Sequence, residues 1–162
     1  MRVVVLSDTH LPGHRELGVD VQARVEAADV VLHAGDITSP VVLERLAATV
    51  EAHAVLGNND VELAGVLPER LELVLGGVRV AIVHDSGPTA GRERRLRRWF
   101  PEADLVVFGH SHMPFSGPGV GGQRLLNPGS PTQRRRSPSH TLAELDVEGG
   151  AVLDVRFVDL GP

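Results

Sequence analysis

The sequence predicts an α/β sandwich, with a mixed β-sheet or two packed sheets and helices on the outside. In the first half of the chain, apolar runs of strand length alternate with segments whose apolar residues recur near helical spacing. In the second half, β-type runs are joined in pairs by short turns that contain two consecutive glycines, as is typical of hairpins. Alternating strands and helices favour a sheet covered by helices, and the hairpins add antiparallel strands. A chain of 162 residues is expected to form one domain, residues 1–162.

The first half is expected to contain three strands and two helices. The predicted elements are strands at 2–7, 30–34 and 53–56 and helices at 19–28 and 40–50. Ser39 and Pro40 support the start of the second helix, because serine is a good N-cap and proline is favoured at the first helical position. The segment 61–70 stays ambiguous, since Pro68 interrupts any regular element there.

The second half is expected to contain six strands and one helix. They are strands at 70–75, 78–83, 103–108, 123–126, 141–147 and 151–158, a helix at 90–100, and loops at 114–122 and 131–139. The turns at 76–77 and 148–150 each predict a tight hairpin. The helix is expected to place Leu96, Trp99 and Phe100 inward and its five arginines mostly outward.

Composition excludes several classes of protein. Apolar residues make up 42% of the chain, which indicates a globular protein. The sequence has no run of about 18 apolar residues, so no membrane span is predicted. Cysteine is absent, so disulfides and thiolate metal sites are excluded. The apolar N-terminus is too short for a signal peptide and is followed at once by Asp8, so we expect a cytoplasmic protein. A net charge of −5 argues against nucleic-acid binding through bulk charge.

The most informative side chains follow the ends of five predicted strands. They are Asp8, His10, Asp36, Asn58, His84, His110 and His112. The carboxyl ends of the strands in an open α/β sheet form the ligand crevice, so these side chains are expected to converge. Each is a metal-ligand type, and their coincidence at five strand ends is not explained by ordinary polar caps.

Seven nitrogen and oxygen ligands are too many for one zinc ion, which takes three or four protein ligands. They suit two metal ions that share a carboxylate. The mixture of imidazole, carboxylate and amide fits Mn²⁺, Ni²⁺, Fe²⁺ or Zn²⁺, with Mn²⁺ favoured, and does not fit Ca²⁺, which prefers oxygen ligands alone. We therefore expect two divalent metal ions as cofactors.

The order of these motifs resembles the calcineurin-like metallophosphoesterase superfamily. The motifs are Asp-x-His, Gly-Asp, Gly-Asn-x-Asp, His and Gly-His-x-His, and they span residues 1 to about 130. The chain length and the segment 127–130, Asn-Pro-Gly-Ser, are similar to the compact prokaryotic phosphodiesterase branch. The resemblance implies two mixed β-sheets packed together and flanked by helices. It also implies hydrolysis of a small phosphoester, most simply a phosphodiester, by a hydroxide that bridges two ions.

By position, the resemblance assigns the ligands to two ions. The first ion would be held by Asp8, His10, Asp36 and His112, and the second by Asp36, Asn58, His84 and His110. Asp36 would bridge the two ions, and catalysis is assigned to Asp36, Asn58 and His84. Two divalent ions outweigh the two carboxylates, so the site would attract an anionic phosphoester and clamp its phosphoryl oxygens.

The chain departs from the family pattern after the third motif. Many relatives have histidine there, thought to protonate the leaving group, whereas this chain has Asn59, which cannot be a general acid. We hypothesise that the enzyme favours leaving groups that need no proton, or uses metal-bound water. Asn59 and Arg134 are the predicted substrate contacts, Arg134 because an arginine after 127–130 is suited to hold a phosphate. Asp85 stands where relatives often have glycine.

Three further residues have less direct predictions. His33 lies inside a predicted strand and is expected to be a satisfied core histidine. Asp60 is expected to cap the following segment or support a neighbouring group, and His14 to lie in a loop after His10, where facing the substrate is the alternative to an ordinary surface position.

Two other functions compete with a phosphoesterase. A eukaryotic vacuolar-sorting (retromer) subunit has this fold and works chiefly as an interaction surface, so a non-catalytic scaffold is the first alternative. A nuclease is the second, although one Trp, four Phe and no Tyr offer little surface for stacking bases. A small-molecule substrate and no membrane partner are expected, and a homo-oligomer is left open.

Overall fold

Two five-stranded β-sheets pack face to face in this protein. The computed structural model describes residues 1–13 and 15–162. The strands are β1 Arg2–Leu6, β2 Val30–His33, β3 Glu51–Ala54, β4 Arg70–Leu75, β5 Val78–Val83, β6 Leu105–Val107, β7 Phe115–Pro118, β8 Arg124–Asn127, β9 Thr141–Glu148 and β10 Ala151–Asp159. The first sheet has the order β10-β9-β1-β2-β3 and the second has the order β4-β5-β6-β8-β7.

Helices cover the outer faces of both sheets. They are α1 Val19–Glu26, α2 Pro40–Thr49 and α3 Arg92–Trp99. The first two helices pack on the first sheet through Val21, Val25, Val42 and Leu46, and α3 packs on the second sheet through Leu96. The predicted sandwich of two mixed sheets flanked by helices is therefore confirmed. Within the described residues, none of the helices has the length and apolar character needed to cross a membrane.

Strand β1 is apolar at every position after Arg2 because both of its faces are buried. Val3 and Val5 face the core between the two sheets, whereas Val4 and Leu6 face the cluster under α1 and α2. The strand pairs in parallel with β2 and antiparallel with β9. Burial on both faces explains why this segment shows a continuous apolar run and not the alternation of a half-exposed strand.

Parallel strands in both sheets bring their carboxyl ends to one edge of the sandwich. In the first sheet β1, β2 and β3 are parallel, and in the second sheet β5, β6 and β8 are parallel. Hydrogen bonds join the two sheets there: the backbone N–H of His110 donates to Asp8 Oδ2 at 3.0 Å, and Ser130 Oγ donates to the Asp8 carbonyl at 2.7 Å. This edge positions the candidate site.

Both predicted Gly-Gly hairpins are present. Gly76 and Gly77, between β4 and β5, have φ of 53° and 88°, and Gly149 and Gly150, between β9 and β10, have φ of 60° and 79°. Positive φ at both central positions is the geometry that tight hairpins of this type require, and glycine adopts it without steric cost.

The prediction of a loop at 114–122 was wrong in part. Phe115–Pro118 forms strand β7 and pairs antiparallel with β8 at the edge of the second sheet. The proline is tolerated because an edge strand leaves one row of backbone groups unpaired. The glycine and proline of this segment favour a loop in the sequence, and only the pairing with β8 makes the segment a strand.

Two local details near α2 also differ from prediction. Ser39 lies at the N-cap position with Pro40 after it, but its hydroxyl donates to the Gly13 carbonyl at 2.8 Å and not to the helix. Strand β3 begins at Glu51, two residues earlier than expected, because its parallel register with β2 starts at Val30 opposite Glu51.

The arginines of α3 are less exposed than predicted. Arg92 lies over the Phe108 ring, with Cζ 4.9 Å from the ring centroid, and Arg95 Nε donates to the Ser86 carbonyl at 2.7 Å. Leu96 and Phe100 are buried as expected. The aliphatic part of an arginine side chain readily covers apolar surface. The number of arginines on a helix therefore does not indicate how exposed the helix is.

Candidate metal centre

The seven predicted ligand residues lie together where strands of both sheets end. Asp8 and His10 follow β1, Asp36 follows β2, Asn58 follows β3, His84 follows β5, and His110 and His112 follow β6. Their polar atoms form a chain of short contacts across the edge of the sandwich, so residues separated by up to about a hundred positions meet in one site.

A first group contains Asp8, His10 and His112. Asp8 Oδ1 lies 3.2 Å from His112 Nε2 and 3.8 Å from His10 Nε2, and the two histidine nitrogens are 3.3 Å apart. The imidazole rings are stacked with centroids 5.2 Å apart. One carboxylate oxygen and two imidazole nitrogens therefore point to one small volume, which is suitable for a metal ion.

Asp36 lies between this group and a second one. Its Oδ2 is 3.5 Å from His10 Nε2 and 3.4 Å from His84 Nε2. Asp8, Asp36 and His84 also present ligand atoms that all lie within 4.8 Å of one another. A carboxylate in this position can serve both groups.

Asn58 and His110 extend the second group. Asn58 Oδ1 is 3.1 Å from His84 Nε2 and 3.0 Å from His110 Nδ1. An amide oxygen and two imidazole nitrogens add three ligand atoms beside Asp36. The combined donor set has two carboxylates, four imidazoles and one amide, which is typical of sites for transition-metal ions.

A buried oxygen without a donor supports a cation at this place. Asp8 is fully buried, and its Oδ2 accepts hydrogen bonds from Ser7 Oγ at 2.6 Å and from the His110 N–H at 3.0 Å. Its Oδ1 has no hydrogen-bond partner. A buried carboxylate oxygen without a partner is costly, and a metal ion would compensate its charge.

Two histidines are oriented by carbonyl groups outside the site. His84 Nδ1 lies 2.7 Å from the Ala34 carbonyl, and His112 Nδ1 contacts the Gln133 carbonyl. Because a carbonyl only accepts, each ring must donate from Nδ1, which leaves the Nε2 lone pair directed into the site. This arrangement is common for metal-binding histidines.

Left-handed backbone conformations are concentrated at these ligands. Among the described residues, seven that are not glycine have positive φ. Five of them, with φ between 42° and 68°, are Asp8, His10, Asp36, His110 and His112. Such conformations cost of order 1 kcal/mol each and persist where the surrounding structure enforces them, often at functional sites.

The electrostatics of the site keep its carboxylates ionised. Burial raises the pKa of Asp36, but contacts with His84 and Asn59 outweigh it, so the pKa is lowered. Burial likewise raises the pKa of Asp8, and the contacts with His112 and Ser7 again lower it below its usual value. Burial lowers the pKa of His10, and the negative charge of Asp36 raises it by less than burial lowers it. Ionised carboxylates beside a neutral imidazole are the protonation states that metal binding requires.

Asn59 and Asp60 fix the position of Asp36. The backbone N–H of Asn59 donates to Asp36 Oδ1 at 2.8 Å, and its side-chain amide donates to Oδ2 at 2.7 Å. The Asp60 carboxylate accepts from the N–H groups of Asp36, Thr38 and Gly57 at 2.9, 2.6 and 2.7 Å. Asp60 therefore supports the turns after β2 and β3, and not the segment that follows it.

The basic loop places different arginines in different surroundings. Arg134, predicted to contact substrate, donates to the Ser137 carbonyl at 3.1 Å. Arg135 reaches the carbonyl of His110 at 3.4 Å, and its positive charge contributes to the lowered pKa of His10. Asp85 is exposed and accepts from the Gly87 N–H at 2.7 Å. His14 lies outside the described residues.

The sequence did not reveal the residues whose hydrogen bonds fix the ligand residues and their neighbours in place. Asn127 Nδ2 donates to the Gly109 carbonyl at 2.8 Å, and Ser130 Oγ donates to the Asp8 carbonyl at 2.7 Å. Ser7 binds the Asp8 carboxylate directly. In the sequence, the segment 127–130 is recognisable only as a motif, and its hydrogen bonds explain why polar residues are needed there.

His33 is a satisfied core histidine, as predicted. The Gly35 N–H donates to Nδ1 at 3.2 Å, so Nε2 carries the proton and lies 3.1 Å from Thr9 Oγ1. Complete burial lowers the pKa of His33 to about 4, against an ordinary value of about 6.5. The residue is therefore neutral and structural at pH 7.

His33 should make the metal-free protein lose stability as the pH falls from about 6.5 to about 4. In this window the unfolded chain binds a proton at residue 33 and the folded protein does not, so protonation favours unfolding. In urea unfolding of metal-free protein, His33→Asn should reduce this pH-dependent loss by up to about 3 kcal/mol. The matched change His53→Asn, at a partly exposed histidine of β3, serves as the control for the substitution itself. Identical pH profiles for His33→Asn and the wild type would contradict this account.

Comparisons with known proteins match the chain to phosphoesterases. Residues 1–150 match the sequence model described as the calcineurin-like phosphoesterase superfamily domain. A probable metallophosphoesterase of Methanothermobacter thermautotrophicus is 33% identical over 165 aligned positions, which cover 99% of this chain and 94% of that protein.

Solved structures show the same fold at lower identity. An archaeal phosphodiesterase has a TM-score of 0.73 and 20% identity, covering 99% of this chain and 100% of that one. Vps29 of Entamoeba histolytica, solved with zinc, has a TM-score of 0.73 and 22% identity, covering 98% and 99%. These two likenesses concern the fold.

Proposed function

The chain belongs to the calcineurin-like phosphoesterase superfamily, and on this basis we propose that it is a phosphodiesterase that uses two divalent metal ions to hydrolyse a small phosphoester. The observation that carries the proposal is the buried Asp8 Oδ1, which lacks a hydrogen-bond donor and faces the Nε2 atoms of His10 and His112. Such a group is expected where a cation binds.

We assign the ligands to two sets, as the family resemblance suggests. Asp8, His10 and His112 would hold one ion; Asn58, His84 and His110 would hold the other; and Asp36 would contribute to both. The ions, with Mn²⁺ favoured over Ni²⁺, Fe²⁺ and Zn²⁺, would supply positive charge for the phosphoryl oxygens and lower the pKa of water to provide a hydroxide nucleophile.

The chain's own residues would orient the carboxylates and the substrate. Asn59 holds both oxygens of Asp36, so its main contribution is to fix this carboxylate. Arg135 is the arginine whose charge already reaches the site, and we propose it as a contact for a phosphoryl oxygen. Arg134 remains a predicted substrate contact, although its guanidinium is held by its own loop.

A reactivity preference follows from Asn59. An amide cannot give a proton to the leaving group, and the missing general acid is typically worth about 10²–10⁴-fold. We therefore expect diesters with acidic leaving groups to react faster than those with alkoxide leaving groups.

The overall charge of −5 favours a small substrate over nucleic acid. We also propose one domain, supported by the core shared between the sheets, and a cytoplasmic location.

Turnover by metal-stripped protein tests the proposal. Mn²⁺, Ni²⁺, Fe²⁺ and Zn²⁺ should be returned separately, with bis(4-nitrophenyl) phosphate, 4-nitrophenyl phosphate and a dialkyl phosphate as substrates. We expect activity to disappear on stripping, to return with at least one ion, and to be highest on the nitrophenyl diester. Activity that survives complete stripping would contradict the proposal.

A non-catalytic scaffold is the alternative that the fold also allows. Vps29, which has the same fold, was solved with zinc, and bound metal by itself does not demonstrate hydrolysis. The absence of a general acid at Asn59 is the feature of this chain that favours the alternative. Stoichiometric metal binding without turnover of any phosphoester in the same experiment would support the scaffold.

A further inference from the structure

A cleft opens beside the second group of ligands. It has a volume of about 450 Å³ and is lined by the segment after β3, by the start of β4 and by the end of β5. Asn58 and His84, whose ligand atoms are 3.1 Å apart, form part of its wall. We call it the Val61 cleft, after a residue on its wall that is 81% exposed.

Part of the wall of the Val61 cleft is apolar. Leu56, Val61, Ala64 and Val83 provide hydrocarbon surface next to the two ligand residues. The 3₁₀ turn Val61–Leu63 is anchored by Leu63, which is buried. A cleft of this size lies within the range of small-molecule sites, which combine apolar walls with a few polar groups.

The charged groups at the Val61 cleft do not favour the binding of an anionic group there. Glu69 and Asp85 contribute two carboxylates and Arg70 contributes one guanidinium. Arg70 is held by aromatic rings, with Cζ 4.2 Å from the Trp99 centroid and 5.7 Å from the Phe100 centroid. Asp60, also on the wall, already accepts three backbone N–H groups. The ligand groups that would hold the cations thus adjoin a surface that is partly apolar and, by side-chain charge, slightly negative.

We propose that the Val61 cleft binds an uncharged organic group of the substrate, with an apolar face of at least the size of one aromatic ring, while the phosphoryl group lies at the metal ligands. This inference rests on the proposed phosphoesterase function and specifies the class of its substrate. A phosphoester that carries a second phosphate or a carboxylate on this organic group is disfavoured, because Glu69 and Asp85 would repel it.

Organic phosphonates test the inference without a leaving group. Competitive inhibition constants of methylphosphonate and phenylphosphonate should be measured on Mn²⁺-loaded protein, and calorimetry should confirm direct binding. We expect phenylphosphonate to bind about tenfold more tightly, because the ring buries additional apolar surface in the cleft. We expect 4-phosphonobenzoate, which adds a carboxylate to the ring, to lose this gain.

Two matched variants locate the effect. Val61→Glu adds a carboxylate to the cleft wall, whereas Val66→Glu adds one at a valine that is 67% exposed, in the same connection and not on the wall. The tenfold preference for phenylphosphonate should fall to about onefold in Val61→Glu and persist in Val66→Glu. Using the ratio of two inhibition constants removes general effects of the added charge.

The outcomes separate this inference from the proposed function. Hydrolysis of phosphodiesters with equal inhibition by the two phosphonates would overturn the inference alone, as would an unchanged preference in Val61→Glu. Equal or tighter binding of 4-phosphonobenzoate than of phenylphosphonate would overturn the uncharged class. If no phosphoester is hydrolysed with any ion, the proposed function fails and this inference fails with it.

Discussion

Asp36→Asn should abolish phosphoesterase activity and weaken metal binding by at least about 100-fold. Its Oδ2 lies 3.5 Å from His10 Nε2 and 3.4 Å from His84 Nε2, so this carboxylate is the one negatively charged group between the two sets of ligands. A neutral amide cannot bridge two cations in the same way. We expect hydrolysis of bis(4-nitrophenyl) phosphate to fall by at least about 10³-fold, and the metal retained after equilibrium dialysis to fall in parallel.

Asp20→Asn makes the same chemical change at a remote position. Asp20 is exposed in the first turn of α1, so the variant should retain activity and metal content. The circular dichroism of Asp36→Asn should match the wild type, because the amide keeps the shape of the side chain. Wild-type activity in a folded Asp36→Asn protein would eliminate the two-ion assignment.

Gly57→Ala should damage both stability and metal binding. An added Cβ would lie 2.1 Å from the Asp36 backbone nitrogen and 2.2 Å from Asp36 Oδ1, so the turns after β2 and β3 would have to separate. The Gly57 N–H also donates to Asp60 at 2.7 Å, and this bond would be strained. Overpacking of this kind costs about 1–3 kcal/mol, and the backbone contact places this case at or above the upper end. Urea unfolding of metal-free protein and Mn²⁺ titration would measure the two losses.

Gly18→Ala is the matched control. No atom lies within 4 Å of a Cβ added at Gly18, and its φ of −56° is open to any residue. The control should remain within about 0.5 kcal/mol of the wild type. If Gly57→Ala and Gly18→Ala unfold at the same urea concentration, the close approach between Gly57 and Asp36 does not constrain the protein.

Much of the fold could be predicted because its signals are local. The apolar run of β1 and the Gly76–Gly77 turn each report a backbone state that neighbouring residues determine. Strand β7 could not be found in this way, since only its pairing with β8 makes a strand of a glycine- and proline-containing segment. The same reasoning applies to β3, whose start depends on its register with β2.

The candidate site was predictable to the extent that strand ends converge. The convergence of strand ends predicted Asp8 and His112 at one edge, and the family resemblance assigned both to the first ion. The structure brings these side chains to 3.2 Å. Hydrogen bonds between distant segments could not be predicted, because residue type does not reveal the partner. Ser130 and Asp8 are 122 positions apart, and Arg135 differs from Arg134 only in the direction that its backbone gives it.

The left-handed backbone at five ligand positions has an evolutionary consequence. Replacing any of these residues with glycine would relieve torsional strain. Such a mutation would remove a ligand and, through the backbone, increase the free energy of unfolding. Under the proposed function, selection for catalysis would retain these side chains despite the cost in stability. In a lineage released from such selection, genetic drift should erase Asp8, His10, Asp36, His110 and His112 sooner than the valines of the core.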